Sequence, residues 1–361
     1  MIHTRSAQLA GGFHVQRWTR LSVGSGVATL ALIAFLVIVP FLFGADVTQQ
    51  LTTLLILVIL AVMWNALAGY GGLISVGQQA FIGLGAYGTI FLTQHGITPY
   101  LAMIVAGLIA GVIALPTSLI MLRLRGGQFA IGMWVVAEVF GILVSLDSSL
   151  GGGTGISLNG LDQYAPGYRQ AYTFWLTLAC ATLLLGLVFL LLRRRIGASL
   201  QAVRDDEDAA ASLGVNVVRS KRVLFVVAAA GCGIAGALYL ANTLFIQTPS
   251  VFGVQWTAYM LFMVLVGGLG TFEGPILGAI IFYLIQTQFG DSGAWYFVGL
   301  GGVAIAFALF LPNGIWGAID RRLHLRLLPV GYTLRTAAAP PPAVAGDAAG
   351  KPPPLAMEDQ P

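Results

Sequence analysis

The densest run of charge in this 361-residue chain lies between residues 193 and 222. Arg193-Arg194-Arg195 opens it, Arg204-Asp205-Asp206-Glu207-Asp208 fills its middle, and Arg219, Lys221 and Arg222 close it. Residues 199–213 predict one short helix, with Ser199 as its N-cap and Gly214 as its stop. Leu200, Val203, Ala210 and Leu213 recur near one face, while Arg204 and Asp208, four apart, share another. The pattern fits a lever that docks on a soluble neighbour. It fits equally a solvated loop whose basic ends only set membrane topology.

Polar residues also occur inside apolar runs. Asn65, Ser75, Gln78 and Gln79 lie in a stretch rich in small residues that also contains Phe81 and runs on to Gly88. They could line a path along which a polar solute exchanges water for fixed dipoles, or hydrogen-bond one helix to the next. Glu138 stands within the apolar run 128–146. A charge at the centre of a span costs about 3 kcal/mol on insertion scales, so its carboxyl is expected to face the interior of the bundle, protonated or paired. A proton-coupled secondary transporter would use such a group as its carrier.

Other chemistry is missing. A phosphate-binding loop needs Gly-x-x-x-x-Gly-Lys-Ser/Thr. Lys221 follows Ser220; Lys351 follows Gly350, but Ala345 and Pro352 occupy the other required places. No nucleophile elbow is present. His3, His14, His95 and His324 are scattered without ligand spacing, and Cys180 and Cys232 fall inside apolar runs as packing residues. The chain is expected to hold no metal or cofactor and to perform no enzymatic step.

The elements that must position these groups follow from composition. Hydrophobic residues make up 57% and charged residues 9%, against about 25% charged in a soluble domain. Most of the exterior must face lipid. The apolar runs are continuous rather than alternating, which selects helices over a barrel. The runs fall near 27–44, 50–68, 72–93, 100–121, 128–146, 172–192, 223–245, 256–269, 275–289 and 294–311. The fold expected is all-α: a polytopic transmembrane bundle of about 8–10 spans. Segments 256–269 and 275–289 are short. They form either two tilted spans or a hairpin that enters and leaves on one face.

Basic residues cluster at 5–20, at Arg123 and Arg125, at 193–222 and at 321–335. With the N-terminus inside, alternate crossings put all these clusters on the cytoplasmic side, and Arg169 falls opposite. The net charge of +4 is therefore a topology signal, with no nucleic-acid partner implied. Residues 1–22 read as a cytoplasmic N-terminal segment and 23–320 as the membrane domain, with 193–222 as its cytoplasmic loop. The Ala- and Pro-rich segment 321–361 reads as a disordered cytoplasmic tail. The loop 147–171, with Gly151-Gly152-Gly153-Thr154-Gly155, is placed to cap the outer mouth or to touch an external partner.

Several stretches carry a family resemblance. Residues 65–87, the loop 200–214 with Lys221-Arg222, and GGLGTFEGPILGA at 267–279 resemble the permeases of branched-chain amino acid ABC transporters. LRLRGGQFA at 122–130 and LPNGIWG at 311–317 are similar to the LivM-type branch. The resemblance covers about 50–320 in order.

It implies a subunit of a binding-protein-dependent importer in the bacterial cytoplasmic (inner) membrane, multi-pass, with cytoplasmic termini. A second homologous permease would share the path. Two cytoplasmic ATPase subunits, which carry the ATP, would dock on the coupling helix 200–213. A periplasmic or lipid-anchored binding protein would deliver leucine, isoleucine, valine or a related solute. Leu200, Val203, Arg204, Asp205, Asp206, Glu207, Ala210, Leu213 and Gly214 would then couple ATP hydrolysis to transport, and Asn65, Ser75, Gln78, Phe81, Trp134 and Glu138 would border the path. Gln128 and Met133-Trp134-Val135 depart from the family pattern. Trp134 would narrow a path, which leaves urea or short amides as alternative cargo. A membrane scaffold without transport is a further reading.

Overall fold

Glycine and proline divide the apolar sequence into helices. The computed structural model describes residues 8–9, 13–16, 20–161, 165–323 and 333–336. Two units form. The smaller is built from the chain ends: strands β1 (Gln8–Leu9), β2 (Phe13–Gln16) and β5 (Thr333–Thr336) pair antiparallel in the order β1-β2-β5. Part of the expected disordered tail is thus a strand. The remainder of 324–361 lies outside the described residues.

The larger unit, Arg20–Gly331, is the helix bundle. Its helices run α1 (Arg20–Leu42), α2 (Ala45–Asn65), α3 (Gln79–Gln94), α4 (Pro99–Met121), α5 (Gly127–Leu146), α6 (Pro166–Arg193), α7 (Arg195–Asp205) and α8 (Glu207–Ser212). Then follow α9 (Val217–Thr243), α10 (Thr248–Phe252), α11 (Gln255–Gly267), α12 (Gly274–Phe289), α13 (Ala294–Phe310) and α14 (Gly314–Leu323). α1 starts inside the expected N-terminal segment and α14 ends beyond residue 320, so the bundle slightly overruns the boundaries 23 and 320.

Eight helical stretches among the described residues are long and apolar enough to cross a bilayer. The protein is a multi-pass membrane protein. Three of the eight merge neighbouring elements: Ala45–Tyr70, Thr248–Gly267 and Ala294–Arg322. α3 and α12 have 16 residues each, or about 24 Å of helix, short of a core of about 30 Å. α3 is completed by non-helical chain. α2 runs into a π-turn at Ala66–Tyr70, Gly72 takes φ +66°, and residues 73–78 return to the level of Trp64, whose Nε1 donates to the Ser75 carbonyl at 2.9 Å. Leu73 N–H bonds the Leu67 carbonyl and Gly77 N–H reaches Ser75 Oγ, so this buried backbone is satisfied within the chain, as lipid requires.

Lipid gives no hydrophobic force between helices, so close packing must hold them together. A β-carbon on Gly85 of α3 would run into the Gly233 carbonyl of α9, and one on Gly236 of α9 into the Ile82 carbonyl. Gly107 of α4 lies as tightly on Ile234. α11 and α12 meet the same way, Gly278 against the Met263 carbonyl. α2 forms the buried axis, with residues 56–65 closed from solvent.

At the end of the bundle where α9 finishes, β3 (Ile156–Ser157) pairs with β4 (Phe245–Ile246). Leu158 N–H bonds the carbonyl of Leu244, which holds a left-handed φ of +64°. Gln94 Nε2 donates to the Ser149 carbonyl. The loop after α5 is thereby folded onto the ends of α3 and α9.

Candidate coupling site and the α5 face

The charged loop closes the end of the bundle where α6 finishes and α9 begins. Two helices replace the single helix expected over 199–213. α7 runs Arg195–Asp205, and Asp206 breaks it with φ −155° and caps α8. The Asp206 Oδ1 accepts from the N–H groups of Asp208 (3.0 Å) and Ala209 (2.9 Å). An aspartate with extended backbone is a better N-cap than a helix interior residue, so the local chemistry selects the break. Ser199 is no cap. Its hydroxyl donates to the Arg195 carbonyl inside α7. Gly214 ends the segment with φ +83° in open space, as expected.

The segment is two-faced. Leu200, Val203 and Ala210 are buried against the bundle, whereas Leu213 points outward, 85% exposed. Asp205 and Asp208 present their carboxylates to solvent. Arg204 and Asp208 do not pair. Asp208 sits 3.9 Å from Arg125, and Arg204 reaches inward. Its Nη1 donates to the Gly69 carbonyl at 2.7 Å, while Nε and Nη2 hold Asp205 Oδ1 at 3.0 and 2.8 Å.

Gly69 belongs to the π-turn that ends α2, and π-turns within helices are frequent at functional positions. A β-carbon there would lie 2.6 Å from Gly270 N, so glycine permits the 268–273 turn to sit against α2. Asn65 fastens that turn. Its Nδ2 donates to the Thr271 carbonyl (2.8 Å) and its Oδ1 accepts from Gly270 N–H (2.9 Å). Hydrogen bonds run from the exposed Asp205 through Arg204 to the Gly69 carbonyl, and Asn65, four residues earlier on the same helical stretch, carries hydrogen bonds on to the hinge between α11 and α12.

Glu207 bonds Lys221 of α9 at 2.6 Å, and the lysine side chain is only 13% exposed. These two residues, with Gly72, Leu124, Arg125 and Phe129, line a cleft of about 260 Å³ beside α8. Lys221 and Gly69 escaped the sequence reading as site residues. The signal for Lys221 was its rarity: it is the only lysine before the tail.

The residues expected along a path divide into two groups. Asn65, Ser75, Gln78 and Phe81 are closed inside the chain. Ser75 Oγ accepts from Gln78 Nε2 at 3.2 Å, Phe81 packs edge-on against Phe225, and Gln78 Oε1 has no hydrogen-bond partner. The neighbouring Gln79 Oε1 accepts from Thr257 at 2.6 Å. Trp134 and Glu138 lie elsewhere, on the outward face of α5, with Trp134 Nε1 donating to Glu138 Oε1 at 3.1 Å. The expectation that Glu138 faces the interior of this bundle is corrected. Met133 and Ala137 take the inward positions of α5, and the helical period turns residue 138 away from them. Among the described residues no group of three metal-ligating side chains occurs.

The high-affinity branched-chain amino acid transport system permease protein LivM of Escherichia coli K12 is 29% identical over 325 residues, covering 82% of this chain and 76% of its own. Its counterpart in Salmonella typhimurium LT2 is 28% identical over the same shares. A probable branched-chain amino acid transport permease protein LivM of Methanocaldococcus jannaschii is 26% identical over 189 residues, 52% of this chain and 54% of its own. No solved structure matches. Residues 47–310 match the family described as branched-chain amino acid transport system / permease component, and the chain belongs to that family.

Proposed function

We propose that this chain is one permease subunit of an ATP-driven, binding-protein-dependent importer for branched-chain amino acids, and that α7 and α8 are its contact with a cytoplasmic ATPase. The observation that carries the reading is the link from Asp205 through Arg204 to the Gly69 carbonyl and on through Asn65 to the 268–273 turn. A solvated loop has no need of a guanidinium inserted into a break in a membrane helix. A lever does, because force applied to its exposed acids must reach the spans.

Orientation follows from charge. Arg123, Arg125, Arg193 to Arg195, Arg219, Lys221 and Arg222 gather around α7 and α8, and the positive-inside rule makes that end cytoplasmic. The chain ends are then cytoplasmic too, and the membrane is the bacterial cytoplasmic one.

The outward face of α5 supports a position for the second permease. A carboxylate turned toward lipid at membrane depth costs about 3 kcal/mol. Glu138 and Trp134 therefore face the partner permease, and the solute passes between the two chains along this surface. ATP hydrolysis belongs to the two partner subunits.

The test is uptake of labelled leucine into proteoliposomes holding the assembled importer. Replacing Asp205, Asp206 and Glu207 together by alanine should abolish uptake while membrane insertion stays intact. Uptake at the wild-type rate removes the lever from the mechanism. Uptake driven by a pH gradient in liposomes of this chain alone would instead support a secondary transporter.

A further inference from the structure

At the end of the bundle opposite α7, the outer turns of α2, α6 and α9 leave a cleft of about 170 Å³. Gln49, Thr52, Arg169, Gln170, Thr173 and Asn242 line it. A cavity of about 150 Å³ holds a benzene molecule, so this one admits a small organic solute.

The polarity of its walls is specific. Thr173 is 3% exposed, and its hydroxyl has no hydrogen-bond partner. Threonines in neighbouring helical positions, such as Thr177 and Thr52, instead bond the carbonyl four residues back. Gln170 Oε1 is likewise buried without a partner. Arg169 has no ion pair among the described residues, and it is the membrane-proximal basic residue that charge patterning leaves on the side away from every other cluster.

The helix ends add a direction. α6 begins at Pro166, so its partly positive N-terminus lies by Arg169; α9 ends at Thr243, so its partly negative C-terminus lies by Asn242. One wall favours an anion and the opposite wall a cation.

We propose that this cleft is an outer binding subsite for the zwitterionic head of a free α-amino acid. Arg169 and the Thr173 hydroxyl take the carboxylate. Gln170 Oε1 and the last carbonyls of α9 take the ammonium group. A neutral amide or a simple fatty acid meets only one half of the site. The phosphate of an anionic lipid such as phosphatidylglycerol, which carries no ammonium group, would meet only the anion half of the site.

The proposal rests on the permease reading above, and its test separates the two. The full chain, purified in phosphatidylcholine nanodiscs, is titrated with L-leucine, leucinamide and 4-methylpentanoate by isothermal calorimetry. Saturable leucine binding is expected, at least tenfold tighter than either analogue, weakened at least tenfold by Arg169→Gln and about threefold by Thr173→Val. Absent leucine binding, equal binding of leucinamide, or an Arg169→Gln titration equal to wild type overturns the site. Loss of leucine binding when phosphatidylglycerol is added to the discs also overturns it, assigning the cleft to a lipid headgroup. The analogue comparison needs no variant and holds if Arg169→Gln misfolds. Leucine uptake by the assembled wild-type importer, read in parallel, keeps the permease reading standing if only the site fails.

Discussion

Arg204→Ala is the sharpest perturbation of the proposed lever. The substitution removes a guanidinium that donates to the Gly69 carbonyl at 2.7 Å in a partly buried setting. A hydrogen bond from a charged donor is worth about 1.5–3 kcal/mol. The same guanidinium also pairs with Asp205, but that carboxylate is 67% exposed and the arginine side chain 38%. Solvent screening holds such a pair to about 1 kcal/mol or less. The grip of α7 on α2 is therefore about 2 kcal/mol, nearly all of it from Gly69. At about 1.4 kcal/mol per tenfold, losing it shifts the balance between a gripped and a released lever by about 10- to 100-fold.

The assay is leucine uptake and phosphate release measured in the same proteoliposomes. Arg204→Ala should lower the solute moved per ATP at least tenfold and leave phosphate release nearly unchanged. Arg204→Lys, which keeps the charge without the fork, should fall between. An unchanged ratio in Arg204→Ala would refute the reasoning.

Further outcomes follow from the same geometry. Lys221→Met leaves Glu207 facing an apolar neighbour and should lower thermal stability by up to about 3 kcal/mol; the pair Lys221→Met with Glu207→Gln should recover most of it in the same melting experiment. Gly236→Val drives a side chain into the Ile82 carbonyl and should lower the melting temperature by several degrees or block folding, whereas Gly186→Ala, in open space within α6, should raise it slightly. Asp206→Ala removes the cap of α8 at about 1 kcal/mol, seen as faster amide exchange over 207–212, and Asp206→Asn should retain slow exchange. Asp147, whose carboxyl is held below the usual carboxylate range by the Ser149 hydroxyl and then its N–H, supports the turn that follows α5. Because the folded group is the stronger acid, that support is complete above the ordinary value of about 4 and fades as pH falls through the lowered one. Amide exchange over 148–152 should therefore quicken only in strong acid, and at neutral pH in Asp147→Ala.

The bundle itself was legible because hydropathy and charge placement report directly on lipid contact. Nine of the ten apolar runs coincide over most of their length with a helix in the structure, with starts displaced by up to seven residues. The run 72–93 is the instructive exception. Its first residues are apolar enough for a helix, yet Gly71, Gly72 and Gly77 allow extended chain, and Trp64 and Gln78 stabilise it by bonding Ser75. That choice depends on contacts between α2 and its own continuation, which a local pattern does not contain. The break at Asp206 was readable in principle, since an aspartate followed by Glu207 and Asp208 is an N-cap signal in its own right; one helix over 199–213 overlooked it. Glu138 misled for another reason. The rule that an intramembrane acid faces protein is a rule about the assembly, and the sequence of one chain does not say which protein it faces.

Strands β2 and β5 carry a consequence for the whole molecule. They come from the two ends of the chain and hydrogen-bond to each other along Phe13–Gln16 and Thr333–Thr336. A thread with its ends tied together must pierce any sheet in pairs of passages. With the other eight candidate spans crossing, the two 16-residue helices α3 and α12 are then expected to cross together or not at all. Fluorescent reporters fused before residue 1 and after residue 361 are expected to light up in one compartment, and signals from opposite sides would contradict the strand pairing.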